Sequence, residues 1–142
     1  MFLLTAAFLA YVFALFGTIL YALVRGGWSE RAAAIALLVA VIATQLAALI
    51  EPARGPQYGV MLVDAALVVA LFGVSARSKG YWPIWATASQ LIGTLTHGAA
   101  ILRPRISIEL YASTQPFWVF PLLAAIAAGT FNYRRDRKRL SS

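Results

Sequence analysis

Apolar residues fall in five long runs, and polar and charged residues gather in the short links between them. The first run, Phe2–Val24, ends at Arg25-Gly26-Gly27. A bilayer core takes roughly 20 helical residues, and this run meets that length. Ala7, Tyr11, Ala14, Thr18 and Tyr21 share one helical face, which is expected to turn towards other helices and leave Phe and Leu outside. The second run, Ala32–Ile50, has Ser29 as an expected cap, with Glu30 and Arg31 in its first turn. Ala32, Ala36, Ala40, Ala43 and Ala47 form a small-residue stripe along it that lets a neighbouring helix approach closely. Glu51-Pro52 stops the run and Arg54-Gly55-Pro56 turns the chain.

The third run spans Tyr58–Val74 and holds Asp64 near its start, followed by a polar link over residues 75–80. The fourth, over residues 81–102, opens with an interfacial aromatic belt of Tyr81, Trp82 and Trp85, and carries Gln90, Thr94 and His97 at helical spacing. The longest link follows, from Arg103 to Tyr111, apolar enough to be expected along the membrane surface. Ser113 or Thr114 is the expected cap of the fifth run, Phe117–Phe131, in which Pro121 predicts a kink. The pairs Ala124/Ala128 and Ala125/Gly129 in this run suit close helix packing. A basic tail over residues 133–142 closes the chain. The pattern predicts an all-α, five-transmembrane-helix bundle forming a single membrane domain.

Composition agrees. The chain is 142 residues long, 61% hydrophobic and 12% charged, about half the charged share of a soluble domain. With no cysteine, disulfides, thiolate metal sites and iron–sulfur clusters are excluded, and one histidine cannot build a multi-histidine metal site within one protomer. No metal or cofactor is expected. The net charge of +7 resides largely in the links and tail. Arg134, Arg135, Arg137, Lys138 and Arg139 therefore read as a topology signal that attracts anionic lipid, not as a nucleic-acid arm.

Five spans place nine Lys/Arg on one side (Arg25, Arg31, Arg77, Lys79 and the five of the tail) and Arg54, Arg103 and Arg105 on the other. The positive-inside rule then predicts the N-terminus outside and the C-terminus inside. That orientation gathers Gln45, Asp64, Gln90, Thr94 and His97 in the outer half of the membrane and leaves the inner half nearly apolar.

These five residues are the candidate ligand site, because a polar side chain among lipid tails is costly unless it has a purpose. Asp64 either titrates a proton or pairs a ligand, with His97 as a candidate partner, or it pairs with Arg54 or Arg103 and holds the fold. His97 either relays a proton or bonds a neighbouring helix; as a metal ligand it would need a second subunit. Trp82, Trp85, Trp118 and Phe120 either anchor the interface or stack on a flat cofactor. No hydrolase elbow, phosphate-binding loop, dinucleotide fingerprint or metalloprotease pair is present, and an enzyme is not expected.

The stretches YWPIW…Q…THGAAILRPRI and YASTQPFWVFP resemble segments of small multi-pass membrane proteins of bacteria. The resemblance implies a bacterial inner-membrane location and brings no activity with it. The expected function is a non-enzymatic accessory or scaffold subunit of a larger membrane complex, in contact with other membrane subunits or its own copies. The alternatives are a small-molecule binder or proton-coupled transporter with its site in the outer half, and a quinone- or pigment-associated subunit.

Overall fold

The structure is a computed structural model that describes residues 2–51, 57–102 and 115–141. Those residues form five helices: α1 (Phe2–Arg25), α2 (Trp28–Ile50), α3 (Tyr58–Arg77), α4 (Trp82–Leu102) and α5 (Val119–Leu140). A 3-10 turn, Gln115–Trp118, leads into α5. Three of them, α1, α2 and α3, are long and apolar enough to cross a membrane. The other two reach similar lengths, 21 residues in α4 and 22 in α5, but carry more polar positions.

Each helix packs on its sequence neighbours, and α5 returns to α1, so the five close into a ring. Short links favour antiparallel neighbours. The apolar core is built from Leu15 and Ile19 of α1, Ala33 and Leu37 of α2, Leu71 of α3, Ala86 of α4, and Leu122 and Ile126 of α5. These positions lie towards the end of the bundle that holds the α1–α2 and α3–α4 links. Outward, Phe13, Phe16, Leu20, Leu62, Phe72 and Leu95 are exposed. That distribution suits a lipid-facing surface, where large apolar side chains need no protein cover.

The expected face of α1 is half-buried at Tyr11, Ala14, Thr18 and Tyr21, but the seam itself is Leu15, Ile19 and Ala22. Leu15 and Ile19 fill the inter-helix space, and the polar-tipped Tyr11, Thr18 and Tyr21 flank them. On α2 the alanine stripe is half-buried, and Ala47 meets α3 where Gly59 leaves room: a Cβ on Gly59 would lie 3.3 Å from that of Ala47.

Several boundaries differ from the sequence reading. Gly27, not Ser29, caps α2, because Glu30 reaches back to the Gly27 N–H and the helix starts at Trp28. This is the glutamate half of a capping box. α3 continues to Arg77, into the expected polar link, since Ser75 and Ala76 are compatible with helix. Pro121 falls in the first turn of α5, where its missing N–H removes no helical bond, so the predicted kink is replaced by the 3-10 turn before it. The basic tail is the last third of α5 and not a separate segment, the helix ending at Leu140. The expected surface link over residues 103–111 and the caps Ser113 and Thr114 lie outside the described residues.

Candidate functional site

On α3, Val60, Asp64, Leu67, Leu71 and Val74 follow one another at steps of four and three, so Asp64 occupies a core-facing position in an otherwise buried apolar row. On α4, Pro83, Ala86, Gln90, Gly93 and His97 do the same. The polar members of the two rows meet across the α3–α4 seam.

Gln90 Nε2 donates to Asp64 Oδ1 at 3.2 Å. His97 Nδ1 lies 3.4 Å from Asp64 Oδ2. The carboxylate thus bridges two α4 residues lying seven positions apart, about 10 Å along the axis. The imidazole side chain is 5% exposed and the carboxylate 23%, so the histidine is sealed while the aspartate keeps an open edge. Tyr11 of α1 lies within electrostatic reach of Asp64.

The carboxylate stands between an amide donor on one oxygen and an imidazole nitrogen on the other, and its remaining edge is partly accessible. Arg54 and Arg103, the other expected partners of Asp64, lie outside the described residues.

Thr94 stands half-buried on the same stretch of α4, but its hydroxyl donates to the Gln90 carbonyl at 2.9 Å and so serves its own helix. Gln45 is exposed on α2 and is not brought to the cluster. The aromatic residues form no common stacking box. Trp82 packs on Gly129, so closely that a Cβ there would sit 2.5 Å from the indole. Trp118 lies against Gly93 and meets Phe117 edge-on, its ring 5.5 Å away. Gly93 is eleven residues beyond Trp82 on α4, about 16 Å, while Tyr81 and Trp85 are exposed as a belt requires.

A second polar cluster was missed by the sequence reading, which expected the other end of the bundle to be nearly apolar. Glu30 is 5% exposed there. Its carboxylate accepts from the Trp82 indole N–H at 2.8 Å, and from the Ser29 hydroxyl and the Gly27 N–H at 3.0 Å each. These donors leave Glu30 well satisfied and staple α2 to α4. The signal was present as a glycine followed three residues later by glutamate at a helix start. The α4 partner, Trp82, had no signal beyond its residue type.

At the opposite end Glu51, the last residue before the α2–α3 turn, accepts from the Gly59 N–H at 2.5 Å, capping the first turn of α3. Its other oxygen, Oε2, is buried with no hydrogen-bond partner among the described residues. The described residues hold no cluster of three or more potential metal ligands.

Comparison with protein-family models, with curated proteins and with solved structures gives no match. The class the fold itself defines is an all-α protein with three helices fit to cross a membrane.

Proposed function

We propose that the chain is a bacterial inner-membrane protein of five spans, N-terminus outside and C-terminus inside, whose Asp64–His97 pair is a proton-titrating site coupled to a small polar ligand. The observation that carries this reading is the 3.4 Å approach of the two groups in the α3–α4 seam, with Gln90 on the other carboxylate oxygen. An intramembrane carboxylate and imidazole held together across two helices are the usual parts of a proton relay. The reading assigns no bond-making chemistry to the chain, and its substrate is small because only the open edge of Asp64 is accessible.

The test is native mass spectrometry of the full chain, extracted in mild detergent at about pH 5.5 and pH 8, either side of the ordinary histidine range. A small adduct whose occupancy changes between the two, and loses that change in Asp64→Asn, supports the reading. Equal occupancy in the unmodified chain at both values, a change that persists in Asp64→Asn, or no adduct at all, overturns it.

A second reading, the accessory or scaffold subunit, is favoured by one feature. Of the two small pairs on α5, Ala125 and Gly129 face the bundle while Ala124 and Ala128 are exposed, a surface that fits another helix. A defined heteromeric mass in the same spectrum would select it.

A further inference from the structure

The unbroken run of α5 through its basic residues does more than mark topology. Phe131, Arg134, Arg135 and Lys138 recur at helical spacing and line one open cleft of about 170 Å3. Asp136, the acidic residue of this stretch, is five residues beyond Phe131 and therefore points away from that face. Arg137 is also turned off it. The segment is held in place, because the ring of Tyr133 packs on the α1–α2 turn: a Cβ on Gly27 would lie 2.8 Å from Tyr133 Cε2. A glycine at the turn thus lets the helix dock where it leaves the apolar part of the bundle.

Three cations and an aromatic ring on one face, directly beyond an apolar helical segment, present a phosphate-binding wall with an apolar floor. We propose that this cleft binds the phosphate of an anionic phospholipid, with Arg134, Arg135 and Lys138 on the headgroup and Phe131 against the glycerol and upper acyl chain. Arginine forks suit phosphate oxygens, and phenylalanine belongs at the depth where the acyl chains begin. A soluble anion would gain nothing from Phe131. The inference rests on the membrane reading of α5 but not on the proton site.

The experiment is a titration of the full chain in detergent with phosphatidylglycerol or phosphatidylcholine, read by native mass spectrometry. Two charge-matched variants are compared: Arg134→Gln/Lys138→Gln on the cleft face, and Arg137→Gln/Arg139→Gln off it. Preferential retention of phosphatidylglycerol is expected. At about 1 kcal/mol for each direct hydrogen-bonded contact with the phosphate, the cleft variant should lose roughly 30-fold in affinity. The off-face variant should lose much less. Equal losses in both would mean a diffuse field without a site, and equal retention of the two lipids would remove the phosphate selectivity; either overturns the proposal. Carbonate extraction separates the two failures: a chain washed from the membrane defeats the membrane reading, whereas one that stays while losing selectivity defeats the cleft alone.

Discussion

A carboxylate in a membrane helix costs about 2.5–3.5 kcal/mol on insertion scales, and partners within the bundle offset that. Asp64 has them in Gln90 and His97, at 3.2 and 3.4 Å. Neither contact is short, so each is worth modest energy. Interhelical polar contacts in membranes average about 0.6 kcal/mol and reach about 1.7. A double-mutant cycle of Asp64→Asn and His97→Gln, followed by thermal unfolding in detergent, should therefore give a coupling of about 0.5–2 kcal/mol. Additive losses would mean that the two groups are neighbours without interaction. Glu30 contrasts with this pair: three donors at 2.8–3.0 Å satisfy its carboxylate, as befits a structural group. Looser contacts at the Asp64 cluster suit the partner exchange proposed for it.

At the scale of the helix, sequence spacing set out the five helices and one polar seam between two of them. Asp64, Gln90 and His97 were legible as a cluster because each occupies a core-facing step of its helix, and the direction of each run set a similar depth. Gln45 lies on the side of α2 opposite the alanine stripe, and that side, with Ile35, Val39, Ile42 and Leu46, is the exposed one, so depth alone grouped it with the cluster. The Glu30–Trp82 bond was hidden for a different reason: it joins residues 52 positions apart, and spacing speaks only within one element. Pro121 misled because its effect depends on where the helix begins. Two or three residues inside the first turn it is neutral; a turn later it would bend the axis. The α4–α5 contact offers a direct check of the hidden staple. Gly129→Ala should push the Trp82 ring outwards, strain its bond to Glu30 and lower stability by about 1–3 kcal/mol, read from thermal unfolding in detergent. An unchanged midpoint would show that the indole has room to move and does not fix α4 against α5.

Across the whole molecule, the two ends of the ring differ in kind. One end joins the apolar core to the Glu30 staple and the basic run of α5; the other carries the Asp64 cluster and the Glu51 cap. A site with an open edge at one end and a basic run at the other gives the bundle a direction, and the positive-inside rule predicts how that direction lies in the membrane. The absence of cysteine makes that direction measurable, because any thiol signal must come from an introduced residue. Gln57→Cys, at the start of α3, should react with a membrane-impermeant maleimide in intact cells. Ser141→Cys, just past α5, should react only after the membrane is opened. Reaction of both in intact cells would require an even number of spans, leaving α4 or α5 lying along the surface. If α4 is the surface helix, Asp64 would open to the interface instead of the bundle interior, and its proposed role as a proton site within the membrane would fall with the topology.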